Sequence, residues 1–445
     1  MRIGLGLAAM LWLLIAGQAA AQDVPRAAPT HTITVEKLPP PQISGFDSEK
    51  AVNAHLAQVS GPARAQSDSY FEGKYWLLLA DLIYGLVVAG LFLWLRISAA
   101  MRNIAQGITR SRFWQAPIYV VQYLVVATAA TLPLTIYEDF LREYAYGLSN
   151  QNFLQWLGDF GINFAVSLFG MTIFLTVLYA IIRGSRRMWW LWGSIIAVIF
   201  LAITIFVYPV FIAPLTNHYE PLKDGPVKTQ ILQLARANGI PADNVYEFDE
   251  SRQDKRISAN VSGMFGTTQI SLNDNLIDRC NPREIMAVMG HEMGHYVLDH
   301  NAVLLTWLGL VYFVGFVFVN WGFRALADIF GGNWDVRTID DPAGLPLLVA
   351  LTSVFLFAMT PVTNTISRTA ERQADIFGLN AARQPDGFAT VTLKLSEYRK
   401  LDPSPLEEFI FYDHPSGRSR ITMAMRWKAA HIGDPDIAGG PVSPQ

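Results

Sequence analysis

Six apolar runs, each long enough or nearly so to cross a bilayer, constrain this chain most; they lie at about residues 75–95, 117–136, 163–182, 189–212, 303–323 and 345–361. Inside the roughly 30 Å hydrocarbon layer no water satisfies backbone polar groups, so a run of ~20 apolar residues closes its hydrogen bonds internally as a helix. Composition agrees: 51% of residues are hydrophobic and 16% charged, against about 25% charged in an ordinary soluble domain. The expected fold class is mainly α, a multispanning α-helical membrane protein whose first partner is the lipid bilayer. The net charge of −3 leaves no basic footprint for nucleic acid. Cys280 is the lone cysteine, which excludes an intrachain disulfide and a thiolate-rich metal site.

The ends are less regular. Arg2 precedes an apolar run at 3–16, and Ala19-Ala20-Ala21 supplies small residues, so residues 1–21 read as a cleaved signal peptide or as an uncleaved first span. Residues 22–70 read as irregular, 71–215 as a four-span region, 216–430 as a catalytic region with two further spans, and 431–445 as a disordered tail. Within the polar stretch, the pattern predicts an amphipathic helix over 227–238, a strand over 266–272 and a turn at Asn273-Asp274-Asn275. No internal repeat suggests a transporter with duplicated halves. Asp81, within the first of the six runs, reads either as lining a water-filled cavity or as paired near the interface.

His291-Glu292-Met293-Gly294-His295 carries the chemistry. Positions i and i+4 share a helix face, so both imidazoles can reach a single Zn2+, while Glu292 stands beside them as the base for a water. Asn281-Pro282-Arg283-Glu284 predicts the start of that helix, with Asn at the cap, Pro first and Glu three residues after the cap. Two histidines leave a catalytic zinc one protein ligand short. A third histidine from the same segment would stand six residues after His295, with Gly at three, but Leu298 and Asn301 occupy those positions. His300 is instead expected on the same helix, as a structural residue or as the partner of a ligand. Glu371 is the better third ligand, with Asp375 one turn later to accept a hydrogen bond from a ligating imidazole. Alone, that spacing would describe a solvated helix face. Two spans separate His295 from Glu371, however, and return Glu371 to the side of the histidines.

With these residues placed, the chain resembles the CAAX prenyl protease type 1 family, multispanning zinc endopeptidases of the gluzincin type. The likeness rests on His-Glu-Met-Gly-His with His300 after it and on Ser367-Arg368-Thr369-Ala370-Glu371-Arg372-Gln373-Ala374-Asp375. Tyr208-Pro209-Val210-Phe211-Ile212-Ala213-Pro214-Leu215-Thr216-Asn217, Tyr146-Gly147-Leu148-Ser149-Asn150-Gln151 and His414-Pro415 with Arg420 extend it over about residues 70–430. The resemblance implies one Zn2+ per chain on His291, His295 and Glu371, with Glu292 as base and Asp375 orienting a ligand. It suggests that His414 and Arg420 act at the substrate or transition state, and that Asn260 lies near the substrate backbone. Here Asn-Val-Ser-Gly stands where the family usually has Asn-Ala and a longer edge segment.

The function expected is therefore a membrane-embedded zinc endopeptidase, in the inner membrane of a bacterium. The competing reading is a catalytically silent scaffold or transporter with a structural metal, against which Glu292 counts, since a structural site needs no base. His414 is the candidate donor to the carbonyl oxygen, or else a cap before Pro415, and Arg420 could instead hold its loop by an ion pair. A prenylated C-terminal peptide, as the resemblance implies, and an exposed loop of a misfolded membrane protein both fit as substrates. Arginines at 96, 102, 110, 112, 183, 186 and 187 follow the first and third spans, which places those loops inside and the His291 region outside. The resemblance implies the opposite face.

Overall fold

The computed structural model describes residues 45–264, 267–434 and 436–437. The signal peptide or first span expected at 1–21 lies outside the described residues, as do residues 22–44 and the end of the tail. From the N-terminal side the helices are α1 (Ser48–Ala57), α2 (Gly61–Trp94), α3 (Ile97–Ile108), α4 (Arg112–Ile136), α5 (Phe153–Gly184) and α6 (Trp189–Val207). Among the described residues, five helical stretches are long and apolar enough to cross a membrane, and a sixth is formed if Trp189–Ile205 and Tyr208–Leu215, bent by 46°, count as one span. The bend falls where Pro209 interrupts the hydrogen-bond ladder and the turn widens over Tyr208–Ile212.

The polar stretch folds as a small sheet with helices on it. Strands β1 (Tyr219–Pro221), β2 (Ala242–Phe248), β3 (Ala259–Met264) and β4 (Thr267–Asn273) take the order β1-β2-β4-β3. β2 and β4 run parallel, with α7 (Pro226–Ala237) preceding β2, and β3 is an edge strand antiparallel to β4. The expected turn at Asn273-Asp274-Asn275 is instead a helix start: Asn273 Oδ1 accepts from Leu276 N at 2.9 Å and opens α8 (Asp274–Arg279). Ile231, Val245, Ile270 and Leu272 form one buried cluster with Met289, Met293 and Phe377, which joins the sheet to the helices beneath it.

Those helices are α9 (Pro282–Val297), α10 (His300–Trp334) and α11 (Leu345–Ala382), followed by α12 (Pro385–Lys394), α13 (Pro405–Phe411) and α14 (Gly417–Ala430). α9 begins with a reciprocal cap: Asn281 Oδ1 accepts from Glu284 N at 3.1 Å and Glu284 Oε2 accepts from Asn281 N at 2.8 Å. It stops at Asp299, whose φ of 53° is left-handed, so His300 opens the next helix rather than sharing the motif helix as expected. α11 has 38 residues, about 57 Å at 1.5 Å per residue. That is nearly twice the hydrocarbon thickness, so the expected short sixth span is only the first part of a helix whose second part carries Glu371 and Asp375. Three glycines let α9 and α11 touch backbone to backbone. A Cβ on Gly378 would meet His291 N at 2.7 Å, and one on Gly294 would meet Ala374 Cα at 3.0 Å; such small-residue contacts set the closest helix approach.

Two irregular regions were expected where the structure shows order. Residues 48–57 form α1, capped by Asp47 Oδ1 on Lys50 N at 3.0 Å, and its Val52 and Leu56 pack with Ile421, Ala424 and Trp427 of α14. Residues 61–70 already belong to α2, started by Gly61-Pro62. At the other end, Arg383 pairs with Asp434 and Asp436, each at 2.5 Å, and Ile437 is buried, so the beginning of the tail is docked. Local composition hides such order because a few apolar contacts and ion pairs to distant helices supply it.

Candidate metal centre

α9 and α11 bring the two halves of the site together. His291 Nε2 and His295 Nε2 lie 3.1 Å apart, and Glu371 Oε2 and Oε1 lie 3.2 and 3.5 Å from them, respectively. The ligand atoms of the three side chains fall within 4.8 Å of one another. The opposite ring nitrogens are already engaged. His291 Nδ1 donates to Asp375 Oδ1 at 2.8 Å, which leaves the lone pair on Nε2. His300 Nε2 donates to Gln373 Oε1 at 3.1 Å, so His300 Nδ1 accepts from His295 Nδ1 at 3.0 Å and again leaves the Nε2 lone pair. In those tautomers both Nε2 lone pairs face each other beside a carboxylate, an arrangement that needs a cation, a metal ion or a proton, between them; without a metal, burial would lower His291, but Asp375 and Glu371 outweigh it and raise the ring to about 10. The donor set fits a divalent metal.

Around this centre the other expected residues take distinct places. Glu292 lines the same cavity as His291, His295 and Glu371, and burial pushes its carboxyl above the usual range, with His291 and His295 opposing that shift. His414 Nε2 lies 3.3 Å from Glu371 Oε2 and its Nδ1 donates to Asp413 Oδ1 at 2.8 Å. Although burial alone would raise it, the Asp413 carboxyl is held well below the usual carboxylate range by His414 and Arg399. Arg420 does not reach the cavity lining: its Nε and Nη2 donate to Asp375 at 3.0 and 2.5 Å in the protein interior. Asn260 lies on the edge strand β3, which lines the cavity through Ala259, Asn260 and Val261, with Ser258 just before it. Asp81 is buried in α2 and is not among the residues lining this cavity. Arg399, which also lines it, and Gln373 were not singled out in the sequence; each is one polar residue among many, with no spacing signal to mark it.

The cavity has a volume of about 750 Å³ and extends from the metal centre to Gly170 and Met171 of α5 and Phe200 of α6. Metal-ligand geometry beside a glutamate, opening into a cavity walled partly by membrane helices, defines an integral-membrane metallopeptidase. Comparison with known proteins specifies which. Residues 221–428 match the model of peptidase family M48, and residues 46–218 match that of the CAAX prenyl protease N-terminal region, described as five membrane helices. The chain is 32% identical over 387 residues to the uncharacterized metalloprotease YhfN of Bacillus subtilis, covering 85% of this chain and 89% of the relative. It is 31% identical to a CAAX prenyl protease 1 homolog of Dictyostelium discoideum, over 65% of this chain and 68% of that one. The crystal structure of S. mikatae Ste24p superposes with a TM-score of 0.70 at 20% identity, over 95% of this chain and 97% of the other, which shows a shared fold. The chain belongs to peptidase family M48.

Proposed function

We propose that this metallopeptidase is a zinc endopeptidase that holds one Zn2+ on His291, His295 and Glu371 and cleaves extended segments of membrane-associated proteins. The observation that carries the reading is the pair of Nε2 atoms 3.1 Å apart beside the Glu371 carboxylate. Zinc bound there would supply Lewis acidity, which brings the pKa of a water towards neutrality and polarises a carbonyl. Glu292, beside the ligands, takes the proton of the attacking water and returns it to the leaving amide nitrogen. Asp375 and His300 keep the two imidazoles in the tautomer that leaves Nε2 free, and Arg420 acts through Asp375 as a positioning residue. Among the described residues β3 pairs only with β4, so its outer edge can pair with an extended peptide, with Asn260 facing that peptide. The names of relatives include CAAX prenyl protease, and a prenylated C-terminal peptide is the substrate of this class we propose to try first.

The test is metal analysis and cleavage of an internally quenched peptide by purified protein in nanodiscs. Glu371→Ala should lose zinc and activity together, whereas Glu292→Gln should keep about one zinc per chain and lose turnover by roughly 100- to 10,000-fold. Full zinc content in Glu371→Ala rejects the ligand set. Cleavage by Glu292→Gln near the wild-type rate rejects the base.

A further inference from the structure

The cavity beside the metal centre has a lopsided charge. Asp139, Asp159, Glu250, Glu292 and Glu371 all line it, while Arg399 is the single Lys or Arg among the described lining residues. Burial raises the Glu250 carboxyl to about 7, with nearby Asp254 adding to the shift. Arg399 is firmly placed: it follows the buried Tyr398, and its backbone carbonyl accepts from Ser67 Oγ of α2 at 3.2 Å. Its guanidinium stands at the metal end, with Nη2 3.5 Å from His414 Nε2. His414 Nδ1 donates to Asp413, so it is the Nε2 side of the ring, also 3.3 Å from Glu371 Oε2, that meets Arg399. The other well-placed arginines nearby are taken up by carboxylates, Arg420 by Asp375, Arg256 by Glu143 and Asp254, and Arg418 by Asp402. Arg399 forms no such ion pair among the described residues, and it lines the cavity, so its five donors are not committed to a carboxylate.

We propose that Arg399 is a further catalytic residue, donating to the scissile carbonyl oxygen as negative charge develops there, with His414 orienting the guanidinium. This rests on the peptidase reading above. As the water oxygen bonds to the carbonyl carbon, the π pair moves to the carbonyl oxygen and Glu292 takes the water proton. Arg399 gains and loses no proton, and when the C–N bond breaks the pair on oxygen re-forms the carbonyl while the proton passes from Glu292 to the amine. A permanent cation serves this better than a titrating ring, because its charge is unchanged at any working pH.

The experiment compares wild type, Arg399→Gln, Arg399→Lys and Glu292→Gln in nanodiscs, measuring metal content, kcat and KM on a quenched peptide, and calorimetric affinity for a phosphinic peptide. The phosphinate carries a tetrahedral anionic centre, and its binding needs no turnover. Arg399→Gln should keep its metal, lose kcat by roughly 100- to 1,000-fold, hold KM within about threefold, and lose phosphinate affinity by a comparable factor. Arg399→Lys, which keeps the charge without the fork, should recover only part of kcat. Wild-type kcat in Arg399→Gln, a loss confined to KM, or unchanged phosphinate affinity overturns the proposal. If Arg399→Gln fails to fold or to hold metal, Arg399→Lys decides, and wild-type kcat and phosphinate affinity there reject the role. A metal-loaded wild type that cleaves nothing instead overturns the peptidase reading, and phosphinate binding still reports on Arg399.

Discussion

Replacing Asp375 with Asn changes one atom and should disable the site by two routes. The carboxylate is fully buried; Oδ1 accepts from His291 Nδ1 at 2.8 Å and from Arg420 Nη2 at 2.5 Å, and Oδ2 accepts from Arg420 Nε at 3.0 Å. An amide has one acceptor oxygen and one donor nitrogen. With its oxygen towards His291, the amide N–H groups face the Arg420 Nε–H; with its nitrogen towards His291, the ring must accept at Nδ1 and carry its proton on Nε2, where the metal binds. Either way a buried donor faces a donor, which costs about 1–3 kcal/mol, more for a charged partner. The intact ion pair is also lost, and breaking a buried pair typically costs about 3–5 kcal/mol. Zinc affinity should fall roughly 10- to 100-fold, the usual effect of removing the partner of a ligating histidine, which is about 1.4–2.7 kcal/mol. Competition with a chelator measures the first effect, and denaturation of the metal-free protein in detergent measures the second. Affinity within threefold of wild type, together with an unshifted denaturation midpoint, would refute both the tautomer argument and the role given to Arg420.

Gly378→Ala places a methyl 2.7 Å from His291 N and 3.0 Å from Gly290 C, so α9 and α11 must part; a loss of about 1–3 kcal/mol and weaker zinc binding should follow, and calorimetry of the metal-free and metal-loaded protein checks both. His414→Ala should retain its metal and lower kcat, and a change confined to stability would instead make His414 a cap before Pro415. As for orientation, the structure gathers Arg96, Arg102 and Arg186 with Asn333, Asp335 and Asp340 at the ends of α2, α5 and α10 remote from the metal centre, with Arg110 and Arg187 in the adjoining loops and Arg112 at the start of α4. If the positive end stays in the cytoplasm, an alkaline phosphatase fusion after Gly225 should be active, and a fluorescent cytoplasmic fusion there would reverse the assignment.

The parts of this molecule legible from sequence are those whose physics is local. A run of apolar residues states that a helix crosses lipid, and Asn281 with Pro282 and Glu284 states where α9 begins, because a cap needs only its own four residues. The histidine pair is legible for the same reason, since a helix alone sets its spacing. Glu371 was reached by counting two membrane crossings, a topological argument that holds even though the expected end of the sixth span was about twenty residues short of the end of α11. What escaped was set by partners distant in sequence. α1 reads as irregular because its Val52 and Leu56 are apolar for the sake of α14, some 370 residues on. His300 looked like a continuation of the motif helix because nothing in Leu298-Asp299 announces a left-handed residue, yet that one dihedral folds His300 back onto His295 and sets its tautomer. Gln373 and Arg399 complete the hydrogen bonding of His300 and of His414 with no pattern of their own. The histidine pair of such a site can be read from spacing, while the groups that fix its protonation and aim depend on where remote helices converge.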